Sequence, residues 1–365
     1  MLRRPGALIR RLGLPLLGVS AVALTLAVLV IVAWWPAGGA SKAAPEEPTP
    51  AVPEGAPQGP PFFTLADLGV KLAYARIDAA GNGTLVIHTP DGNTLDVRAA
   101  RGVFTGIAWS PDGQRLAMSF GPGPDAQDVY VVDGDGRNLR KLTADGASRR
   151  PTWSPDGSLL AFSSGPDGSQ GHGPVMTLNA SGAAGAAPTA LAPDARYDNP
   201  AWAPDGSSIA VTREAGTLVL LSPTTGEELK RVDLLRESAP SYTSIDWSSD
   251  STAVAGTVSR GPSLAIVILT DNLTAQRQVG GAFLGNPVDP ASVHPSWVPG
   301  YSKIIAASAV TGDLVLVDVN ALPEDLPSAE PYSPVQVLVA APPRTRLAFP
   351  AVSGPRSGGR PQSVV

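Results

Sequence analysis

Chemistry needs nucleophiles, acids, bases or metal ligands held close together, and this 365-residue chain offers few. It has no cysteine, which excludes disulfides, thiol catalysis, cysteine-based metal sites and a lipid-modified cysteine anchor. Its three histidines, His88, His172 and His294, are far apart, and none has a second ligand at metal-binding spacing. No Gly-x-Ser-x-Gly elbow occurs, nor the Gly-Lys pair of a phosphate-binding loop. The stretch Asp133-Gly-Asp-Gly-Arg-Asn138 has the acidic rhythm of a calcium loop. However, Arg137 stands where an oxygen ligand is needed, and no glutamate closes the loop, so it reads as a hairpin turn. Asp112, Asp156 and Asp205 could be offered as a ring of carboxylates, but each belongs to a repeated turn motif, which makes it structural. The expectation is a protein that is not an enzyme and carries no metal or other cofactor.

The repeated turn leads to the elements around it. Trp109-Ser-Pro-Asp-Gly113, Trp153-Ser-Pro-Asp-Gly157 and Trp202-Ala-Pro-Asp-Gly206 are clear copies, and Trp247-Ser-Ser-Asp-Ser251 and Trp297-Val-Pro-Gly300 are worn ones. Successive tryptophans are 44, 49, 45 and 50 residues apart, a period that signals a repeat architecture. Proline pre-sets the first corner of the turn, aspartate bonds local backbone, and glycine takes the left-handed position that follows. Seven residues after each Trp stand Leu116, Leu160, Ile209, Val254 and Ile304, each opening an apolar run of strand type. Each Trp therefore ends one strand, and the residue seven on opens its antiparallel neighbour. A third strand follows (Thr84–His88, Asp128–Val132, Val175–Leu178, Thr217–Leu221, Leu264–Ile268, Leu314–Val317), and then a weaker fourth such as Leu139–Leu142. Such a unit cannot bury both faces alone, and radial stacking of four-stranded sheets is a β-propeller.

Leu72–Ala75 with Thr84–His88 supplies a sixth set that lacks a good first strand. Phe62–Leu65 or the segment around Pro350-Ala-Val-Ser353 could provide it. The second matches Pro200-Ala-Trp-Ala203 in cadence, with Val for Trp, so the C-terminus is expected to close the ring. The fold class is thus all-β: a six-bladed propeller of four-stranded antiparallel blades, preceded by one transmembrane helix and a Pro-rich linker.

The helix is expected at 14–35, where Leu14–Trp35 is 22 residues without a charge. At about 1.5 Å per residue this crosses the ~30 Å hydrocarbon layer. Four arginines precede it, which puts residues 1–13 in the cytoplasm as a basic tail. The run is longer than a signal-peptide core, so a signal anchor is favoured over a cleaved leader. Residues 36–61 hold eight prolines and form a linker, 62–353 the propeller, and 354–365 a disordered tail. Beyond residue 61 there are 22 basic and 29 acidic residues, a net charge of −7, which argues against nucleic acid as a partner.

Trp-Ser-Pro-Asp-Gly, then Leu-Ala-Phe-Ser-Ser, then Val-Tyr-Val-Val-Asp-Gly-Asp-Gly and Lys-Leu-Thr resembles the WD40-like (PD40-type) repeat of TolB-like β-propeller proteins. The resemblance covers roughly 62–353. It implies six blades and a bacterial cell-envelope setting. The TolB protein itself has an N-terminal α/β domain where this chain has an anchor and a stalk, so TolB's role does not carry over. Similar propellers gate prolyl-oligopeptidase-type hydrolases, and no hydrolase signature appears here.

In a four-strand meander the first and third turns lie on one face, and the second turn and the blade crossovers on the other. The second face carries the long irregular loops, where binding residues collect on a rigid scaffold. Three positions before each Trp stand Gly106, Arg150, Asn199, Ser244 and His294, with Tyr197 and Tyr242 two further back. Radial repetition places these at the channel mouth. Arg150, Asn199, Ser244, His294, Tyr197 and Tyr242 are the candidate partner-binding rim. The expected function is that of a membrane-anchored, extracytoplasmic, monomeric module binding a protein or peptide in the cell envelope. The alternatives are a propeller enzyme (hydrolase or polysaccharide lyase) and a sensor binding a small molecule or glycan in the channel.

Overall fold

The computed structural model describes residues 64–97, 102–165, 173–182, 187–193, 195–213, 217–233, 241–260, 263–270, 273, 275–279, 294–308, 313–320, 335–339 and 346–353. The expected tail 1–13, anchor 14–35, linker 36–61 and C-terminal tail 354–365 lie outside the described residues. Residues 64–353 form six four-stranded antiparallel sheets. Blade one joins β24 (Arg346–Val352), as inner strand, to β1 (Leu72–Ile77), β2 (Gly83–His88) and β3 (Thr94–Val97). Blade two is β4 (Val103–Trp109), β5 (Arg115–Gly123), β6 (Ala126–Asp133) and β7 (Arg140–Lys141). Blade three is β8 (Ser148–Trp153), β9 (Leu159–Ser164), β10 (Val175–Asn179) and β11 (Thr189–Ala190). Blade four is β12 (Asp198–Trp202), β13 (Ile209–Arg213), β14 (Thr217–Leu221) and β15 (Glu228–Asp233). Blade five is β16 (Ser241–Trp247), β17 (Val254–Arg260), β18 (Ser263–Thr270) and β19 (Ala275–Val279). Blade six is β20 (Ser296–Trp297), β21 (Lys303–Ala307), β22 (Leu314–Asp318) and β23 (Val335–Val339).

Each Trp of the repeats pairs with the residue seven on: Trp109 with Leu116, Trp153 with Leu160, Trp202 with Ile209, Trp247 with Val254 and Trp297 with Ile304. In blade one Val352 takes the Trp position and pairs with Leu72. Phe62–Leu65 does not supply that strand. Thr64 instead caps a short helix, α1 (Leu65–Leu68), by a capping box with Asp67, and Gly69 ends it in the left-handed conformation.

The core is divided among six interfaces, one between each pair of adjacent blades. Strand alternation explains this. In each second strand the residue paired with the Trp position faces the preceding blade and the next faces the following one. Leu116 and Met118 pack with blade one, while Ala117 packs with blade three. That second residue is Ala73, Ala117, Ala161, Ala210 and Ala255 in blades one to five, and each shares a cluster with the next blade's Trp. In blade six it is Ile305, which shares a cluster with Val352. A small residue faces each large one, and a larger residue faces the single small one, so the volume of the interface is kept.

Polar groups bind the interfaces in two ways. Where alanine precedes the Trp position, its carbonyl accepts the next blade's indole. Trp109, Trp153 and Trp247 Nε1–H donate to Ala351, Ala108 and Ala201 at 3.1 Å each. Where a polar residue stands there, its side chain takes the next blade's backbone amide instead. Trp202 donates to Thr152 at 3.2 Å, Trp297 to Asp246 at 3.0 Å and Val352 to Ser296 at 3.3 Å. The indole N–H groups of Trp202 and Trp297 then have no acceptor among the described residues. Cations add to the first two interfaces. Lys71 and Arg115 lie 5.5 and 4.6 Å from the ring centres of Trp109 and Trp153, and each donates at 3.0 Å to the glycine carbonyl of the next turn, Gly113 or Gly157.

The turns behave as their composition requires. Gly113, Gly157, Gly206 and Gly300 have φ of 65° to 78°, and Ser251 holds the same conformation at 59°. Asp156 accepts from Ser154 at 2.6 Å and from the Ser158 amide at 3.0 Å, which holds its carboxyl below the usual range. A reciprocal bond closes the turns that begin with Ser110, Ser154 and Ser248: the Ser154 amide, for example, donates to Leu159 O and the Leu159 amide to Ser154 Oγ, both at 2.9 Å. The same pair recurs where no turn exists. The Ser353 amide donates to Lys71 O at 2.9 Å and the Lys71 amide to Ser353 Oγ at 3.0 Å, joining residues 282 positions apart.

Candidate channel-mouth site

The inner strands surround a central cavity lined from all six blades, by Gly106, Arg150, Asn199, Asp246, His294 and Pro350 among others. Its free volume is only about 60 Å³. Inner strands β4, β8, β12 and β16 each carry a bulge near their loop-face start. A bulge re-aims the side chain it carries, and here it decides which of the rim candidates reach the channel.

Arg150 sits in the bulge of β8 with φ 52°. A left-handed non-glycine residue costs roughly 1–2 kcal/mol, so the surroundings must impose it. They do so at three points. The Arg150 amide donates to Ser119 Oγ of blade two at 3.1 Å. Its Cα lies 3.0 Å from where a Cβ on Gly106 would stand, which explains the glycine in blade two. Its guanidinium forms an ion pair with Asp198 of blade four, whose other oxygen accepts from Ser163 at 3.0 Å. Asp198 is buried and Arg150 lies in front of it, half-buried against the channel.

Asn199 holds the same backbone conformation one blade on, with φ 50°, and its side-chain Nδ2–H donates to Thr212 Oγ1 of its own blade at 2.8 Å. His294 lines the cavity, and its Nδ1 lies 3.2 Å from Pro295 O. Enclosure away from water pushes its pKa down to about 4, and Arg150 pushes the same way, while the Asp246 carboxylate opposes both. The imidazole is therefore neutral at pH 7. The strand residue that sequence reading overlooked is Asp246, one before Trp247, which lines the cavity and accepts the Trp297 amide. Asp198 was overlooked as well. A carboxylate in an inner strand, with no counterpart at the same place in the other blades, was the available signal for both.

Two rim expectations need correction. Ser244 is fully buried and donates to Thr257 at 3.4 Å, within its own sheet. Tyr197 is 2 % exposed, belongs to the cluster between blades three and four, and donates to Glu228 of β15 at 2.8 Å. Burial, with that bond to Glu228, raises its pKa to about 12. Tyr197 precedes the bulge, so it faces the neighbouring blade and not the channel. Tyr242 pairs with Val258 on β16, and its side chain lies outside the described residues. His172 also lies outside them. His88 stacks on Tyr74 at 5.6 Å and bonds its hydroxyl at 3.0 Å, within blade one. Among the described residues no three His, Asp or Glu side chains form a group that could hold a metal ion.

By architecture this is a six-bladed propeller of meander blades, sealed by a C-terminal inner strand. Residues 64–241 match the PD40 family, the TolB beta propeller domain, and over that stretch the chain is similar to it. Among solved structures it is similar to TolB from Acinetobacter baumannii, with TM-score 0.61, 16% identity, and coverage of 79% of this chain and 67% of that one. A putative TolB from Agrobacterium tumefaciens gives TM-score 0.52 at 15% identity, covering 78% of this chain and 99% of the other. A chain of a nidogen/laminin complex gives 0.54 at 10% identity, covering 79% and 100%. At such identities the likeness is one of fold. No curated protein sequence matches the chain.

Proposed function

We propose that this protein is an interaction module of the bacterial cell envelope, held at the membrane by residues 14–35 and recruiting a protein or peptide through the channel mouth. One observation carries the reading. Arg150, Asn199 and His294, from three different blades, converge on a single cavity, and two of them sit in backbone conformations that the scaffold must impose. Such pre-organisation is useful at a recognition site and unnecessary in a water-filled hole. The narrowness of the cavity favours a partner that inserts one side chain over a whole small molecule, which needs about 300 Å³ or more. The anchor rests on the uncharged run Leu14–Trp35 and the four arginines before it.

The test is cross-linking capture from membrane extract with the full-length chain and with a variant carrying Arg150→Ala, Asn199→Ala and His294→Ala. A partner captured by the first and lost by the second, with the thermal transition of the propeller retained, supports the reading. Equal capture by both ends it. Resistance of the chain to alkaline extraction from membranes checks the anchor separately.

A further inference from the structure

Arg150 has five N–H donors, and the structure uses few of them. Among the described residues its guanidinium bonds one acceptor, Asp198, through one terminal nitrogen. Among the described residues the guanidinium makes no second hydrogen bond, and Arg150 lines the cavity. Of the nearby carboxylates, Asp198 is buried and paired with Arg150, while Asp246 lines the cavity and accepts the Trp297 amide through one oxygen. Among the charged side chains that line the cavity, Arg150 is the cation. The water-accessible space of about 60 Å³ suits a single small group such as a carboxylate better than a whole ligand.

Resting on the reading that the mouth recognises a peptide, we propose that Arg150 and the cavity it fronts are a socket for a single carboxylate of the partner. Asp198 fixes one arm of the guanidinium, held in turn by Ser163, and the remaining edge is presented as a planar fork. A fork of this kind matches a carboxylate with two parallel bonds, which a lysine cannot reproduce. Gly106 belongs to the device, because a Cβ there would stand 3.0 Å from the Arg150 Cα and crowd it.

Two measurements on the full-length chain test this. In the first, sodium acetate is titrated into ¹⁵N-labelled protein against sodium chloride at equal ionic strength, and the Arg150 Nε–H resonance is followed. A saturable shift with acetate, absent from Arg150→Lys, is expected; a response equal to that of chloride overturns the socket. Lysine keeps a cation opposite Asp198, so the variant's thermal transition should match the parent's. In the second, arrayed peptides are compared in three forms: unaltered, with Asp and Glu replaced by Asn and Gln, and with an amidated C-terminus. Loss of about tenfold in affinity on side-chain replacement assigns the carboxylate to a side chain, and the same loss on amidation assigns it to the terminus. No loss in either form overturns the socket without any protein variant. If acetate saturates Arg150 but no peptide binds, the socket stands and peptide recruitment fails. If peptides bind the parent and Arg150→Lys equally, recruitment stands and the socket fails.

Discussion

Five of the six blade interfaces are built from a tryptophan facing an alanine, and the sixth from a valine facing an isoleucine. The two solutions occupy the same place in the ring and conserve its volume, but they hold it differently. The tryptophan interfaces follow a covalent hairpin and have an indole that can reach back to the previous blade. The valine interface has neither. It is held by strand pairing, by packing against α1 and by the bond from the Val352 amide to Ser296. What repeats is the fit between neighbours, and the tryptophan is only its commonest form.

The comparison breaks most completely at β24. Deleting residues 346–353 removes the inner strand of blade one, the acceptor for Trp109 and the partner of Ile305 together. Loss of cooperative unfolding by circular dichroism is expected, and an unchanged transition would mean the ring does not need closure. Next come swaps between the two solutions. Trp153→Val should cost about 3–5 kcal/mol in urea unfolding, as a cavity opens against Ala117. Adding Ala117→Ile should recover part of it, which purely additive costs would refute. In reverse, Val352→Trp should cost about 1–3 kcal/mol by overpacking, and Ile305→Ala should relieve it.

A smaller effect is expected from pH. Enclosure keeps His294 neutral down to about pH 4, while the unfolded chain takes up that proton near 6.5. Stability should be complete above 6.5 and fall as pH drops from there towards 4. His294→Gln should flatten the profile in that window, and a profile identical to the parent's would show that the imidazole is not enclosed. The finest distinction lies among the tryptophans. Trp153→Phe removes an indole bond, whereas Trp202→Phe removes an N–H that has no acceptor. The first should be the more destabilising by about 1 kcal/mol, and equal costs would mean the indole bond contributes nothing.

Most of the architecture could be read from the sequence, because a turn motif and a seven-residue offset fix register directly. Leu116 had to lie opposite Trp109 once the turn between them was recognised. Even the closing strand was visible, through the shared cadence of Pro350–Ser353 and Pro200–Ala203. The site was less legible. Counting back from Trp assumes a regular strand, and the bulges break that assumption. Within the bulges, Arg150 and Asn199 reach the channel; before the bulge of β12, Tyr197 turns into the blade interface, and after the bulge of β16, Ser244 is claimed by Thr257. Asp198 and Asp246 escaped notice because they do not repeat, and radial averaging hides whatever one blade does alone.

The clasp between Ser353 and Lys71 reproduces, between two ends of the chain, the bond pair that elsewhere spans a short hairpin. In topological terms the propeller has no first blade: where the string starts is a choice of cutting point, not a property of the circle. A gene rearranged to join residue 353 to residue 71 through a Pro-Asp-Gly hairpin, and opened instead between Asp156 and Gly157, should give the same ring with its ends moved two blades round.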